Sequence, residues 1–443
     1  MTLRLLLIRH GLSSFNRENR IQGRNDLSKL TDEGILQASK AGDALRNIPI
    51  NSVYSSPLQR AKDTTKELIK ECNPNLTPIF DNGLLEIDLA PWSGLTIEEV
   101  KEKFPNLYTT WKESPEELTI SRSNGSTYKP IQELLNQAEQ FLQKIFTIHK
   151  PELNQTILLV GHNAILRCLI LKMLNEPSRG FTKLKLDNSS ISIFNINLNN
   201  EGKLDFQIET LNSTAHLEPK LPSKSKYARV ILVRHGETDW NKEGRFQGQI
   251  DIPLNENGRD QASAAGDLLK NIQIDKAYSS SMSRPLETAK IILRSHPKIE
   301  VQQKEELIEI GHGMWEGKLE TEIASEWGDL LNDWKKSPEK VQMPQGENLE
   351  EVSLRVLKCW ESICNNLSSN ETALVVAHDA VNKTLLCHLL GLKNSDIWKI
   401  KQGNGGVTII DIIKNPRQTS TIITLNIISH LGGVIDKTAQ GAL

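Results

Sequence analysis

Two stretches of the sequence, LLLIRHGLSSFN at residues 5–16 and VILVRHGETDWN at residues 230–241, share one pattern. Each is a run of apolar residues that ends abruptly at Arg-His-Gly. A short apolar run followed at once by polar residues is typical of a buried strand. The pattern therefore predicts an arginine and a histidine at the end of a strand, and it does so twice in one chain.

The two stretches are the first of several paired segments. VYSSPLQRAKDTTKEL at 53–68 resembles AYSSSMSRPLETAKII at 277–292, and LLEIDLAPWSG at 84–94 resembles LIEIGHGMWEG at 307–317. ILLVGHNAILRCLI at 157–170 resembles ALVVAHDAVNKTLL at 373–386 in the same way. The shared order and spacing predict the duplication of a whole domain, because the period is far longer than that of a solenoid repeat. The Pro-, Lys- and Ser-rich segment 218–228 reads as a linker, which predicts domains at 1–222 and 223–443.

The bulk composition agrees with two domains and excludes some partners. A chain of 443 residues is longer than one hydrophobic core usually organises. Its formal net charge of -2 gives no electrostatic reason to expect a nucleic acid or an anionic membrane as a partner. The five cysteines lack metal-binding spacing, which predicts free thiols. Since no apolar run has the length of a membrane span or the flanks of a signal peptide, we expect a cytoplasmic protein.

Short apolar runs alternate with helical patterns inside each half. In the first half the runs are RLLLI at 4–8, SVYSS at 52–56 and TILLV at 156–160. The segment TDEGILQASKAGDALRN at 31–47 is typical of a helix with Thr31 as its N-cap. This alternation predicts an α/β fold in which a mainly parallel sheet is covered by helices on both faces. Ligands of such folds bind beyond the carboxyl ends of the strands, where both Arg-His-Gly segments would lie.

The polar residues of the paired segments suit one kind of chemistry. Each half offers two histidines, two arginines and one glutamate beside apolar neighbours. Arginine presents a planar fork of donors that suits phosphate, and no cluster of carboxylates suggests a divalent cation. The set fits metal-free phosphoryl transfer, with histidine as nucleophile, cations around the phosphoryl oxygens and a carboxylic acid that protonates the leaving oxygen.

The motifs RHG, SSxxxR, LxE…WxG and VxH, found twice in this order, resemble those of the histidine phosphatase superfamily, also called phosphoglycerate mutase-like. The resemblance covers nearly all of both halves and implies a phosphohistidine mechanism without a metal or another cofactor. It implies His10 and His235 as the phosphorylated residues, with the other catalytic residues being His162, His378, Glu86 and Glu309. The residues implied to bind the substrate are Arg9, Asn16, Gln22, Gly23 and Arg60 in the first half and Arg234, Asn241, Gln247, Gly248 and Arg284 in the second.

The role of proton donor makes a physical demand on the two glutamates. An exposed glutamate is ionised at neutral pH, so burial and nearby negative charge must raise its pKa. Other recurring residues have a structural interpretation. We expect Trp92 and Trp315 to pack a turn, and His216 and His430 to hold the last strand to the rim of the site. His312 has no first-half counterpart and would either tune specificity or have no role.

The two halves differ at the rim of the predicted site. The second half keeps the family pattern in RHGETDWN, GMWEG and MPQGEN. The first half has Leu12 and Ser13 where the family usually carries Glu and Thr, and RSNGSTYKP at 122–130 lacks the acidic residue. We therefore expect an active second domain and a first domain that keeps phosphatase chemistry with a different or relaxed specificity.

Several functions remain compatible with these motifs. Neither half has the RHYG context or the long inserts of the family's dedicated mutases, which favours a phosphomonoesterase for a small phosphorylated metabolite over a phosphoglycerate mutase. The second-half motifs resemble α-ribazole phosphatases of cobalamin assembly. The tandem arrangement resembles the 2-carboxy-D-arabinitol-1-phosphatase group and suggests a photosynthetic source such as a cyanobacterium. In another class of function, one half would sense a metabolite without catalysis. The chain would be a monomer or a homodimer.

Overall fold

The computed structural model describes residues 2–175, 178–199, 201–414 and 419–438. The chain divides into two compact units, Met1–Pro222 and Ser223–Leu443. Within the described residues, no helix combines the length and the apolar character needed to cross a membrane.

The first unit has one main sheet and a short hairpin. Its strands are β1 (Leu3–Arg9), β2 (Ser52–Ser55), β3 (Pro78–Phe80), β4 (Ile120–Ser121), β5 (Thr127–Tyr128), β6 (Thr156–Gly161), β7 (Ile191–Leu198) and β8 (Leu204–Ser213). Its helices are α1 (Ser14–Arg17), α2 (Asp32–Ala44), α3 (Gln59–Cys72), α4 (Ile97–Lys103), α5 (Pro105–Glu113), α6 (Pro130–Ile148) and α7 (Asn163–Leu174).

The sheet of the first unit confirms the prediction of a mainly parallel α/β fold. Its strand order is β8-β7-β1-β6-β2-β3, in which β1, β6, β2 and β3 run parallel. Strands β7 and β8 are an antiparallel addition that the sequence periodicity did not indicate. Helix α2 packs against α3, and α6 packs against α7. Strands β1 and β6 are buried along nearly their whole length, as their continuous apolar sequences require.

The predicted start of helix α2 is confirmed. The hydroxyl of Thr31 accepts a hydrogen bond of 3.0 Å from the backbone N–H of Gly34, as an N-cap does. The helix ends at Ala44, three residues earlier than predicted. The chain there tightens into bonds between residues three apart, from Leu45 N to Gly42 O and from Arg46 N to Asp43 O.

The second unit repeats the topology of the first. Its strands are β9 (Ala228–Arg234), β10 (Lys276–Ser280), β11 (Val301–Lys304), β12 (Thr372–Ala377), β13 (Val407–Ile413) and β14 (Thr419–Ile427). Its helices are α8 (Asp239–Glu243), α9 (Glu256–Leu269), α10 (Ser283–Ile292), α11 (Glu320–Lys336), α12 (Leu349–Asn366) and α13 (Asp379–Leu390). The strand order is β11-β10-β12-β9-β13-β14, with four parallel strands followed by two antiparallel ones. Residues 214–227 lie outside helices and strands, whereas Ala228, the last residue of the predicted linker, begins β9.

A buried ion pair joins the first strand of the second unit to its neighbour. Arg229 of β9 lies opposite Asp411 of β13. The Nε atom of Arg229 lies 2.7 Å from Oδ1 of Asp411, and one terminal nitrogen lies 3.1 Å from Oδ2. Their side chains are only 2% and 5% exposed, so removing one charge would leave the other in a dry environment without this counter-charge.

We expect Asp411→Leu to lower the free energy of unfolding of the second unit by about 3–5 kcal/mol, because it removes the carboxylate that balances the buried charge of Arg229. The double variant Arg229→Met with Asp411→Leu should recover most of that loss. Chemical unfolding of the full chain, followed by a probe in each unit, measures both. Equal destabilisation by the single and the double variant would contradict the prediction.

Candidate active site

The first site is built where three parallel strands of the first unit end. Strand β1 continues into His10, whose backbone N–H donates to the carbonyl oxygen of Gly161 at 2.9 Å. Strand β2 continues into Ser56, whose N–H donates to the carbonyl oxygen of Val160 at 2.9 Å. His162 directly follows β6 and begins the turn into α7. The ladder of the sheet therefore aligns these three residues at one edge, and β9, β10 and β12 do the same in the second unit.

The first histidine of each site is held by the backbone of the next residue. The Nδ1 atom of His10 lies 2.8 Å from the carbonyl oxygen of Gly11, and that of His235 lies 2.7 Å from the carbonyl oxygen of Gly236. A carbonyl oxygen can only accept, so the proton of the neutral ring is assigned to Nδ1. The Nε2 atom then keeps its lone pair.

Both of these imidazoles are uncharged at neutral pH. Burial lowers the pKa of His10 well below 6.5, and the charges of Arg60 and Arg9 lower it further. Burial and two guanidinium neighbours act in the same direction on the pKa of His235. A buried neutral imidazole with one unprotonated ring nitrogen is in the state that a nucleophile needs.

A second histidine lies beside the first in each site. The ring of His162 is 5.1 Å from that of His10 between centroids, and the ring of His378 is equally far from that of His235. Burial is again the largest cause that lowers the pKa of His162 and of His378 well below 6.5.

A serine hydroxyl orients the second histidine. The Oγ atom of Ser56 lies 2.7 Å from Nε2 of His162, and Oγ of Ser280 lies 2.9 Å from Nε2 of His378. Each serine oxygen also accepts a backbone N–H from two residues further on, which favours its own proton pointing to the histidine. That arrangement puts the ring proton on Nδ1, which is buried and has no partner among the described residues. The Nδ1–H group can then donate to a phosphoryl oxygen.

The predicted proton donors are buried at the same edge. Glu86 is 8% exposed, and its carboxylate accepts the backbone N–H groups of Ile87, Ala164 and Ile165 at 2.9–3.2 Å. It therefore lies against the start of α7, next to the second histidine.

Glu309 is 5% exposed and accepts the backbone N–H groups of Ile310 and Asp379 at 3.0 and 3.1 Å. Burial raises the pKa of Glu309 above 4.5, and the negative charge of Asp379 raises it further. The bond from Ile310 and two nearby guanidinium groups oppose the rise without reversing it. This glutamate thus has the raised pKa that a proton donor requires.

One arginine of each site is fully buried and clamps a loop. Arg60 donates to the carbonyl oxygens of Gly23 and Asn25 at 2.8 and 2.9 Å. Arg284 donates to the equivalent carbonyl oxygens, and its Nε atom lies 3.3 Å from Nε2 of His235. Burial lowers the pKa of each arginine to about 10, so both remain cations at neutral pH.

The arginine that precedes the first histidine is also anchored to a carbonyl oxygen. Arg9 donates to Leu186 O at 2.8 Å, and Arg234 donates to Gln402 O at 2.5 Å. The Nε atoms of Arg9 and Arg234 are buried and have no partner among the described residues. These groups have donors left for an anion beside the two histidines.

Two asparagines of each site join the loop after Arg-His-Gly to the loop that precedes β7 in the first unit and β13 in the second. The Oδ1 atom of Asn16 accepts from Nδ2 of Asn188 at 3.2 Å, and Asn188 also donates to the carbonyl oxygen of His10 at 2.9 Å. Asn241 and Asn404 form the same pair at 3.2 Å in the second unit. Asn16 and Asn241 therefore lie beside the first histidine, with an oxygen already bonded.

The Gln-Gly pairs form the loop that the buried arginine clamps. Gly23 and Gly248 have φ values of 51° and 57°, which suit glycine, and their carbonyl oxygens accept from the arginine. Gln22 accepts a bond from Ser13 at 3.2 Å, whereas the Oε1 atom of Gln247 is buried without a partner among the described residues. Each predicted site residue thus lies at the carboxyl edge of its own sheet.

The residues expected to be structural do lie in packed positions. Trp92 and Trp315 are fully buried in 3-10 turns, so neither can stack on a substrate. His216 and His430 each bond a carbonyl oxygen of the loop that carries the second asparagine, at 3.0 Å. His312 is buried against aromatic rings, and burial lowers its pKa to about 3.

The motifs assign no role to some residues of the site. Ser56 and Ser280 are the second serine of a pair that recurs in both halves, and Asn188 and Asn404 also recur. Recurrence was the available signal in both cases, but the contacts join residues far apart in sequence.

Within the described residues, no group of three or more His, Cys, Asp or Glu side chains is placed to hold a metal ion.

The fold, the duplicated site and the sequence agree on the class of protein. The chain belongs to the histidine phosphatase superfamily (branch 1), which it matches over residues 5–209 and again over residues 230–423. It is therefore an enzyme of a superfamily of phosphatases and mutases, and the resemblance that the motifs suggested is confirmed.

Individual relatives match one or both units. The chain is 27% identical over 446 residues to 2-carboxy-D-arabinitol-1-phosphatase of Triticum aestivum, a match that covers 97% of this chain and 86% of that protein. It is 34% identical over 204 residues to phosphoserine phosphatase 1 of Hydrogenobacter thermophilus, covering 46% of this chain and 94% of that protein. Among solved structures, YhfR of Bacillus stearothermophilus is 33% identical with a TM-score of 0.44, covering 46% of this chain and 99% of that one. A putative alpha-ribazole-5'-P phosphatase of Escherichia coli is 27% identical with a TM-score of 0.42, covering 45% and 96%.

We expect Ser280→Ala to lower kcat of the second site about fivefold to tenfold and to leave KM nearly unchanged. The variant loses the bond that orients His378, and a lost bond of about 1 kcal/mol corresponds to that factor. Steady-state kinetics in a chain that also carries His10→Ala measure the second site alone. Ser263→Ala, which removes an exposed hydroxyl on α9, is the matched control. An equal rise of KM with unchanged kcat would contradict the positioning role.

Proposed function

We propose that the protein is a metal-independent phosphomonoesterase that forms phosphohistidine at His10 and His235 during hydrolysis of a small phosphorylated metabolite. The observation that carries this proposal is the state of His235. Its Nδ1 atom is tied to a backbone carbonyl oxygen, and its unprotonated Nε2 atom accepts a hydrogen bond of 3.3 Å from Nε of Arg284. Beside it lies Glu309, a buried carboxyl group with a raised pKa.

The first chemical step follows from this geometry. The Nε2 atom of His235 attacks phosphorus while the bond from phosphorus to the leaving oxygen breaks. Glu309 gives its proton to that oxygen, so the alcohol leaves uncharged. The two arginines and the Nδ1–H group of His378 bind the phosphoryl oxygens as charge develops on them.

The second step returns the enzyme to its starting state. Glu309, now a carboxylate, takes a proton from a water molecule as the water oxygen attacks phosphorus. The bond between Nε2 and phosphorus breaks, and inorganic phosphate leaves. In the first unit His10, Glu86 and His162 would take the same roles.

A phosphatase is favoured over a mutase, the alternative function. A mutase must keep the phosphoryl group from water with a lid, and neither half carries the inserts expected for one. The match to the wheat 2-carboxy-D-arabinitol-1-phosphatase along both units supports a sugar phosphate as substrate. α-Ribazole phosphate and cobalamin assembly remain the second candidate, supported by the second-half motifs. In a further alternative, the first unit would sense a metabolite without catalysis.

The remaining assignments belong to the same proposal. We assign a histidine phosphatase-like domain to residues 1–222 and another to 223–443, and we place the protein in the cytoplasm of a photosynthetic organism such as a cyanobacterium. The five cysteines are free thiols, which supports a reducing compartment. Its partner would be the phosphorylated metabolite, with neither nucleic acid nor membrane bound, and the chain would act as a monomer or homodimer.

Separate His10→Ala and His235→Ala variants should each lose the hydrolysis of an aryl phosphate at one of the two sites, because each removes the nucleophile of that site. The double variant should have no phosphohistidine turnover at all. Phosphate release and the acid-labile phosphoenzyme formed in one rapid mixing experiment measure both. Unchanged phosphoenzyme formation in His10→Ala would show that the first site is idle, and activity in the double variant would contradict the mechanism.

A screen of sugar phosphates, phosphoglycerates and α-ribazole phosphate with the purified chain should show net release of phosphate from at least one compound. Interconversion of phosphoglycerates without net release would instead establish the mutase alternative.

The pH profile of kcat/KM for the second site should have an alkaline limb set by Glu309. This group must be protonated, so the rate falls as pH rises through its pKa, which is raised above 4.5. The acid limb, set by His235, should lie well below pH 6.5. Glu309→Gln in a His10→Ala chain should abolish the alkaline limb and lower kcat/KM on an alkyl phosphate by on the order of 10²–10⁴. The loss should be much smaller on p-nitrophenyl phosphate, whose leaving group needs no proton, and equal losses on both would contradict the role of donor.

A further inference from the structure

The two sites differ in the residue that follows their Gln-Gly loop. In the first unit this residue is Arg24, whose Nε atom donates to the carbonyl oxygen of Glu86 at 3.0 Å. In the second unit it is Gln249, whose Nε2 atom donates to the carbonyl oxygen of Glu309 at 3.2 Å. The same place beside the proton donor thus holds a cation in one site and a neutral amide in the other.

Arg24 is held in place by the residues of the site itself. The carbonyl oxygens on both sides of it, those of Gly23 and Asn25, accept hydrogen bonds from the buried Arg60. One terminal nitrogen of Arg24 donates to Oε1 of Gln137 at 2.9 Å. The guanidinium group is therefore held against the backbone of the proton donor, on the loop that the buried arginine clamps.

The charge of Arg24 is not neutralised by a described carboxylate. Its side chain is exposed, and two of its five N–H donors are used, one on Glu86 and one on Gln137. Both partners are neutral oxygens, so the exposed cation keeps three N–H donors for a ligand.

The second site also has an arginine nearby, but that one is saturated. Arg355 of α12 donates to the carbonyl oxygens of Glu306, Ile308 and Glu309 at 2.7–3.1 Å. It binds both carboxylate oxygens of Glu347 at 2.8 Å. These five bonds use all five N–H donors of the guanidinium group and pair its charge.

The acidic partner of that arginine has no counterpart in the first unit. Gln137 of α6 takes the place of Arg355, since it donates to the carbonyl oxygens of Gly83 and Leu85 at 3.1 and 2.8 Å. The segment 122–130 carries no acidic residue to pair with a cation. Arginine and glutamine have therefore exchanged places between the two sites, and only the second site kept the glutamate.

A second difference also gives the first site less negative charge than the second. Asp379 of the second site lies 3.5 Å from Arg234 and 2.7 Å from Lys383, so one carboxylate faces two cations. Asn163 stands at the equivalent position of the first site and donates to the carbonyl oxygen of Leu186. One difference adds negative charge to the first unit, which has Asp88 where the second has glycine. That carboxylate accepts a backbone N–H of its own turn.

We propose that the first site selects phosphate esters that carry a carboxylate, which Arg24 binds, whereas the second site has no such selectivity. The inference rests on the proposed function and specifies the substrate class of the first site. The planar fork of an arginine with free donors matches a carboxylate in two parallel hydrogen bonds. The phosphoryl group of the same substrate occupies Arg9 and Arg60.

The test compares 3-phosphoglycerate with glycerol 3-phosphate, which differ only by a carboxylate in place of a hydroxymethyl group. In a His235→Ala chain, where the first site alone turns over, we expect kcat/KM to be at least tenfold higher for 3-phosphoglycerate. Arg24→Gln, which installs the residue of the second site, should remove most of that preference. Arg46→Gln, an exposed arginine that precedes β2 and lies away from the carboxyl edge, should keep it. A parallel loss on both compounds, or no preference in the starting chain, would overturn the inference.

Binding separates this inference from the proposed function. p-Nitrophenyl phosphate tests hydrolysis by the His235→Ala chain without a carboxylate, so lack of turnover there refutes catalysis by the first site. Isothermal titration of 3-phosphoglycerate into the His10→Ala, His235→Ala chain tests selectivity without turnover. We expect the addition of Arg24→Gln to raise the Kd of 3-phosphoglycerate at one class of sites at least tenfold. The Kd of glycerol 3-phosphate should change less than threefold. Identical titrations with and without Arg24→Gln would overturn the inference.

Discussion

The alignment of parallel strands is the constraint on which each site depends. Strands β1, β6 and β2 are in register, and the ladder continues for one residue beyond them, through His10 and Ser56. That residue is the first one free of the sheet, so its side chain can leave the core while its backbone stays fixed. A one-residue shift of β6 would turn His162 to the opposite face and separate it from its serine.

Burial then determines the chemistry of the aligned groups. Cations and imidazoles share a dry space, where burial and like charge keep both histidines neutral. The same burial acts on a carboxyl group in the opposite sense and raises the pKa of Glu309. The burial that keeps the nucleophilic imidazole uncharged therefore also shifts the carboxyl group towards its protonated form.

The residues of each site can be predicted from the sequence, but the contacts between residues far apart in the chain cannot. The two histidines of each site were predictable because each ends an apolar run, and the arginines and glutamates followed from a motif set that occurs twice. The bond between Ser56 and His162 joins residues 106 apart, and the one between Arg24 and Gln137 joins residues 113 apart. Local periodicity carries no information about such pairs. The antiparallel strands were likewise set by pairing rather than by their own pattern, since β7 pairs with β1 and β8 pairs with β7.

The central claim is that Nε2 of the first histidine attacks phosphorus because Nδ1 is bound to the backbone. The direct test is the position of phosphorus on the imidazole ring of the trapped phosphoenzyme, determined by phosphorus–nitrogen coupling in the NMR spectrum of the ¹⁵N-labelled chain. The account predicts Nε2-phosphohistidine at His10 and His235. Phosphorus on Nδ1, or on any residue other than these two histidines, would contradict it.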